Sequence, residues 1–299
     1  MEERMFGNTH ILAWLEYFAQ SVPVDLEKIK ILDITRKNKN LIPTVESHSS
    51  VLVFTDVGHD DIFYRMWDAG LGECEVWYNE GSEPSGPILH KPVKQMIDRG
   101  INASAGMIIL NPNARSTAKV GMDNSNFSTG SIRYVGSEIR AVILNKMHLS
   151  LGDTVVVVGG ASIAVESAIL AAEGTVIAVE YDRSDRRTLE ENANKFGIHN
   201  ISIIDHVDDH SLSGLPKPEL AFLVASASLE QEIECLLRRN PRMEIIVYTL
   251  DFRCAGNLPA TFERFGLGEI EAIQIAVSRM DAKNHLTAEP APWIVSGKA

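Results

Sequence analysis

The sequence predicts an α/β protein of two domains, the second a doubly wound, largely parallel sheet that finishes in an antiparallel pair of strands. Three observations carry this. The chain has 299 residues, and at roughly 100 to 200 residues per domain that length holds two cores. Short apolar runs alternate with helix-like segments, the pattern of βαβ units. A polar stretch near the middle, Asn111-Pro-Asn-Ala-Arg-Ser-Thr-Ala and then Gly121-Met-Asp-Asn-Ser-Asn-Phe-Ser-Thr-Gly-Ser, separates the two sets.

In the first domain, strands are expected at 29–34, 51–54, 75–78 and 107–110, and helices at 10–20, 60–69 and 91–99. The first helix is amphipathic, since Ile11, Trp14, Leu15 and Phe18 recur at helical spacing. The alternation predicts parallel βαβ units here too. The Gly/Ser/Asn/Thr stretch has little apolar surface to bury and reads as a connector. The expected organisation is therefore a first domain over 1–115, a linker over 116–132 and a second domain over 133–299.

The second domain has expected strands at 154–158, 175–180, 201–204, 220–224, 244–249, 270–277 and 293–295. The unalternated run Val155-Val-Val-Val suits a strand buried on both faces. Helices fit at 136–147, 162–172, 185–196, 229–239 and 258–265. The last two strands are expected to be joined by a tight connection rather than a helix, which makes that edge antiparallel.

Composition narrows the function. With 28 Lys and Arg against 40 Asp and Glu, the net charge is −12, which argues against a surface that wraps nucleic acid. No run of 18 apolar residues suggests a membrane span. The start lacks the charged, apolar and small-residue plan of a signal peptide, and the cysteines Cys74, Cys235 and Cys254 form no C-x-x-C. These features lead to the expectation of a cytoplasmic protein without a disulfide or zinc framework.

Chemistry in an open parallel sheet is expected outside the carboxyl ends of the strands near the switch point. The strand at 154–158 runs into Gly159-Gly160-Ala161-Ser162, and the strand at 175–180 ends in Glu180. A Gly-rich turn lets backbone approach a ligand closely, and an acid ending the next strand can accept hydrogen bonds from ribose hydroxyls. The pattern falls short of G-x-G-x-x-G. Two readings stand side by side: a nucleoside site, or a tight β-to-α turn beside an exposed strand end.

Longer runs add a family. Gly136-Ser-Glu-Ile-Arg-Ala-Val-Ile-Leu-Asn-Lys-Met, Leu151-Gly-Asp-Thr-Val, Gly174-Thr-Val-Ile-Ala-Val-Glu-Tyr-Asp, Glu191-Asn-Ala-Asn-Lys-Phe-Gly-Ile-His-Asn-Ile, Ile275-Ala-Val-Ser-Arg-Met and Trp293-Ile-Val-Ser-Gly resemble the C15-methylating, decarboxylating precorrin-6B (precorrin-8W) methyltransferases of cobalamin synthesis. In the first domain, Val51-Leu-Val-Phe-Thr-Asp, Trp67-Asp-Ala-Gly-Leu-Gly-Glu-Cys-Glu-Val-Trp and Asn79-Glu-Gly are similar to the second half of a tetrapyrrole methylase of the precorrin C5-methylating type. The order matches the bifunctional precorrin-6Y C5,15-methyltransferases.

The resemblance implies a class I methyltransferase-like (Rossmann-like) second domain using S-adenosylmethionine on a precorrin, with Gly159, Gly160, Ala161, Ser162, Glu180 and Tyr181 lining the cofactor. It implies a homo-oligomer, and another corrin-pathway methylase as a possible partner. It assigns no catalytic residue. Because the chain begins near the middle of the tetrapyrrole-methylase fold, the first domain is expected not to methylate C5 unaided and to serve packing or dimerisation.

The cofactor loop departs from the family pattern, roughly D-x-G-x-G-[ST]-G. Aligned on Gly159, the acid falls on Val157, the second glycine on Ala161 and the last on Ile163, while Ser162 is kept. A β-branched residue adopts φ > 0 only at a cost, and its methyl groups are expected to fill cofactor space. Val157 also removes the carboxylate that would meet the cofactor's ammonium group. Val207 stands where the family has an Asp after the third strand, Val224-Ala-Ser-Ala-Ser replaces a glycine-rich turn, and Val135-Gly136 replaces Thr-Lys. These changes raise a competing expectation: a catalytically inactive relative that binds a tetrapyrrole or scaffolds a partner methylase.

Other groupings favour plain roles. His206-Val-Asp-Asp-His210 lacks H-E-x-x-H and reads as a solvated acidic loop rather than a metal site. In His59-Asp60-Asp61, an acid is expected to cap the following helix. Cys235 reads as a core residue within a helix, and no G-x-S-x-G occurs. Arg36-Lys-Asn-Lys reads as a solvated basic loop.

Overall fold

The computed structural model describes residues 8–35, 41–55, 61–98, 106–114, 120–132 and 134–298. The chain divides into two units, Met1–Thr117 and Ala118–Ala299. The basic run at 36–39 and the His59-Asp60 pair lie outside the described residues.

The first unit is a five-stranded sheet, β1 (Lys30–Asp33), β2 (Ser50–Phe54), β3 (Glu75–Tyr78), β4 (Leu89–Pro92) and β5 (Gly106–Leu110), in the order β1-β2-β5-β3-β4. Each β2 side chain is buried, and the period of two divides them between faces. Val51 and Val53 meet helices α2 (Leu41–Ser47) and α3 (Ile62–Asp68) through Val45, Ile62 and Met66. Leu52 and Phe54 meet Trp14 and Phe18 of the amphipathic helix α1 (Asn8–Ala19).

Two expectations fail in this unit. Among the described residues of this unit only β1 and β2 pair in parallel; β5 runs antiparallel to both β2 and β3, and β3 to β4. Alternation along the chain therefore did not translate into βαβ crossovers. Where a helix is expected at 91–99, Lys91 and Pro92 instead end strand β4, with Trp77 opposite His90, and a single 3₁₀ turn follows at Val93–Gln95. Pro92 ends that strand at the sheet edge, where its missing N–H leaves no ladder bond unmade. Asp61 precedes α3, but its side chain makes no capping bond.

The second unit has helices α4 (Ser137–Lys146), α5 (Ala161–Leu170), α6 (Arg183–Lys195), α7 (Leu229–Arg239) and α8 (Phe252–Arg264). Its main sheet contains β6 (Thr154–Val158), β7 (Thr175–Val179), β8 (Ile201–Ile204), β9 (Leu220–Val224), β10 (Glu244–Thr249), β11 (Gly268–Gln274) and β14 (Trp293–Lys298), ordered β11-β14-β10-β9-β6-β7-β8. Strands β6 to β10 pair in parallel, and the order reverses at β6, with β9 on one side and β7 on the other.

The valines of β6 show why both faces are covered. Val155 and Val157 pack with Ile139, Ile143 and Ala164 of α4 and α5, while Val156 and Val158 pack with Ile233, Leu236 and Phe262 of α7 and α8. At about 1.5 to 3 kcal/mol for each large side chain removed from water, these two layers supply the main drive for folding the unit.

The antiparallel end differs from expectation in its connection. Strand β14 lies between β10 and β11 and runs against both. The link from β11 is not tight, because it carries the small antiparallel pair β12 (Ser278–Met280) and β13 (Leu286–Ala288). Helix α8 begins six residues before its expected start at 258 and includes Pro259, with Asp251 accepting bonds from the amides of Arg253 and Cys254 at its N-terminus.

The stretch expected as a linker is packed in its described part. Phe127 is buried in the core beside α4 and α5, and Met122 and Ile132 rest against it. Few apolar residues were enough, because buried polar partners hold the backbone between them. The Oε2 and Oε1 atoms of Glu166 accept from the amides of Gly121 at 2.6 Å and Met122 at 3.0 Å, and Asn192 accepts from the Ser128 amide at 2.7 Å.

Candidate functional site

The carboxyl ends of β9, β6 and β7 lie side by side at the switch point of the second sheet, the place where open α/β sheets bind ligands. Gly159 leaves β6 with φ +67°, and its amide donates to the Val179 carbonyl at 3.0 Å. A Cβ built on Gly159 would stand 3.4 Å from the Val224 side chain, and one on Gly160 would stand 3.0 Å from the Phe222 ring. The turn is thus narrow because it threads between the ends of neighbouring strands.

Glu180 follows β7 and is 9% exposed. Burial raises its carboxyl to about 7, the nearby Asp185 adds to the rise, and a hydrogen bond from the Ala161 amide opposes it. That bond brings together two of the predicted cofactor residues: the end of β7 and the first turn of α5 meet at this carboxylate. Arg186 donates to the backbone carbonyls of Glu180 at 2.7 Å and Tyr181 at 2.9 Å, fixing their direction from α6.

Tyr181 reaches the other way. Its hydroxyl donates to the carboxylate of Glu232 in the first turn of α7, and its ring stands edge-on to His206 with centroids 5.5 Å apart. Glu232 is 2% exposed and its carboxyl is raised by burial. Since β6 lies between β7 and β9, the Tyr181–Glu232 bond spans the width of β6 at the carboxyl edge.

The remaining predicted residues face the core. Ala161 and Ser162 are 3% and 1% exposed. The Ser162 hydroxyl accepts from the Arg140 guanidinium at 3.2 Å. Ile163 is the third residue of α5, has no positive φ and is fully buried with Val155 and Val157. The expected strain at Ile163 is therefore absent, because the helix begins earlier than a seven-residue loop pattern allows.

Three site-shaping residues escaped sequence reasoning: Arg140, Glu166 and Glu232. Arg140 is fully buried and donates to Glu166, Asn124, Ser162 and the carbonyls of Val135 and Met122. A signal existed for Glu166, the single charge in Ala161-Ser-Ile-Ala-Val-Glu-Ser-Ala-Ile-Leu, since a lone acid in an apolar helix needs a partner.

The acidic loop after β8 holds His206 against Asp205 at 3.2 Å. Among the described residues, no group of three His, Cys, Asp or Glu side chains is arranged to hold a metal ion. Nor is any of their helices long and apolar enough to cross a membrane. Cys235 is buried in α7 as the helical pattern implied.

Several solved structures share the fold. Precorrin-6Y C5,15-methyltransferase from Geobacter metallireducens has a TM-score of 0.56 at 21% identity, over 60% of this chain and 98% of that one. Precorrin-8W decarboxylase from Methanobacterium thermoautotrophicum has a TM-score of 0.52 at 18% identity, over 60% and 100%. The C-terminal domain of precorrin-6Y C5,15-methyltransferase from Rhodobacter capsulatus has a TM-score of 0.50 at 20% identity, over 61% and 100%. Among curated proteins, none matches this sequence. The family model of the precorrin methyltransferase domain matches residues 131–289, more than half of the chain and most of the second unit, and the chain belongs to that family.

Proposed function

We propose that the second unit binds S-adenosylmethionine at the carboxyl ends of β6 and β7 and methylates a tetrapyrrole of corrin synthesis. The specific reaction proposed is C15 methylation with decarboxylation of a precorrin-6/7 intermediate. The observation that carries this reading is Glu180, a buried acid held beside the first turn of α5 and next to the Gly159-Gly160 turn. A carboxylate there can accept both hydroxyls of a ribose, and glycines let the ligand approach the backbone.

The residues present fit the nucleoside end of such a donor. Glu180 would take the ribose, and Tyr181 offers an aromatic face beside it. The bound donor supplies an electrophilic methyl group, so the chain's task is to orient the two reactants and exclude water rather than to shuttle protons. The first unit, similar in sequence to the second half of a tetrapyrrole methylase, is proposed to serve packing or dimerisation. A homo-oligomer and a partner methylase of the same route belong to this proposal.

One observation favours a second reading, a non-catalytic relative that holds a tetrapyrrole or a partner enzyme. The position of the family's loop acid is Val157, 1% exposed and packed in the core, and Ser162 is turned toward Arg140. Calorimetry with S-adenosylmethionine and S-adenosylhomocysteine separates the readings. Micromolar binding abolished by Glu180→Ala supports the methyltransferase, whereas no binding heat from either compound at millimolar ligand overturns it and leaves the scaffold reading.

A further inference from the structure

We propose that Glu232 receives the ammonium group of the methyl donor, in place of the loop acid whose position is Val157. The proposal rests on the donor-binding reading and adds a residue to that site. Val157 points into the core between the sheet and α4 and α5, so the turn after β6 has no carboxylate from that position. Glu232 lies in the first turn of α7 after β9, across β6 from the end of β7, and its carboxylate accepts from the hydroxyl of Tyr181, the chain neighbour of Glu180.

Its bonding leaves one oxygen over. Oε1 accepts from the Tyr181 hydroxyl and, at 3.4 Å, from Ser226. Oε2 is buried and has no hydrogen-bond partner among the described residues. Among those residues no Lys, Arg or His pairs with this carboxylate either. A buried carboxylate without a cation is costly, and a charged N–H donor offsets more of that cost than a neutral one. A donor with its ribose on Glu180 carries one cationic nitrogen, and Oε2 is the oxygen of this carboxylate that has no partner among the described residues.

The test compares two ligands that share the adenosine and thioether but differ in the amino-acid arm. S-adenosylhomocysteine carries the ammonium group, and 5′-methylthioadenosine does not. Calorimetry is run on the full chain, wild type and Glu232→Gln, with folding checked by near-UV circular dichroism. Losing one charge-assisted bond should weaken S-adenosylhomocysteine about ten- to hundredfold and leave 5′-methylthioadenosine within about twofold.

An equal loss for both ligands, or no loss for either, overturns the assignment while the donor site stands. A wild-type protein that binds neither ligand overturns the donor site and this inference together. If Glu232→Gln fails to fold, Glu232→Met, which fills the space without a buried polar group, must show the same selective loss.

Discussion

Arg140 and Glu166 form a fully buried ion pair, Nε to Oε1 at 2.5 Å, with both side chains 0% exposed. It joins α4 to α5, and the spare hydrogen-bonding capacity of each partner holds the 121–124 segment. Glu166 accepts from the amides of Gly121 and Met122, and Arg140 donates to Asn124. Phe127 lies under the guanidinium at 5.0 Å. Removing one partner leaves the other charge buried and unpaired.

Arg140→Met should therefore lower unfolding free energy by about 3 to 5 kcal/mol. The double variant Arg140→Met/Glu166→Leu should recover only part of that loss: it removes the unpaired charge, but it leaves the amides of Gly121 and Met122 and the carbonyls of Val135 and Met122 without these partners. Urea titration of the three proteins decides the matter. A single variant no weaker than the double would show that the pair carries no coupling.

Gly159 and Gly160 make the turn for different reasons, and alanine should report both. At Gly159 the left-handed φ of +67° costs an L side chain about 1 to 2 kcal/mol. At Gly160 a Cβ would meet the Phe222 ring at 3.0 Å and Val157 at 3.1 Å, an overpacking cost of about 1 to 3 kcal/mol. Thermal melts of the two alanine variants should show losses in these ranges. If Gly160→Ala is neutral, the strand ends yield more readily than their burial implies.

Ile163 tests the sequence argument from side-chain volume. With this residue fully buried in the α4–α5 core, Ile163→Ala should cost about 2 to 5 kcal/mol and leave the affinity for S-adenosylhomocysteine unchanged. A gain in affinity would mean that the isoleucine does obstruct the donor.

What the sequence made legible follows from period and burial. In the second unit the central strand β6 carries the unbroken run Val155 to Val158 and β9 is apolar throughout, and each of the seven expected strands overlaps one of the main sheet, with β11 starting two residues early and β14 running on to Lys298. The first unit resisted for a topological reason: β5 inserts between β2 and β3, and insertion leaves no trace in local pattern. Gly159, Gly160 and Glu180 were readable as the turn after β6 and the end of β7, because each marks a strand end. Glu232 was not. The periodicity of Leu229, Ile233 and Leu236 marks the buried side of α7 and gives no sign that an acid in the same turn folds back to meet Tyr181.

Glu180 provides a pH signature. Its carboxyl rises to about 7 in the folded chain from an ordinary value of 4.5. Between those values the folded protein holds a proton that the unfolded chain has released, so stability declines as pH increases. The stabilising contribution of the neutral form is complete below 4.5 and lost through 7. Glu180→Gln keeps the shape and never ionises. Relative to wild type it should be about equally stable at pH 5 and more stable at pH 8, by up to about 3 kcal/mol, as read from urea midpoints at each pH. Ligand binding should run the opposite way: wild-type affinity for 5′-methylthioadenosine should rise from pH 6 to 8 as the ribose acceptor ionises, and stay flat in Glu180→Gln. Parallel stability curves for the two proteins would mean that Glu180 titrates in its ordinary range, and the buried-acceptor account of the site would fall with it.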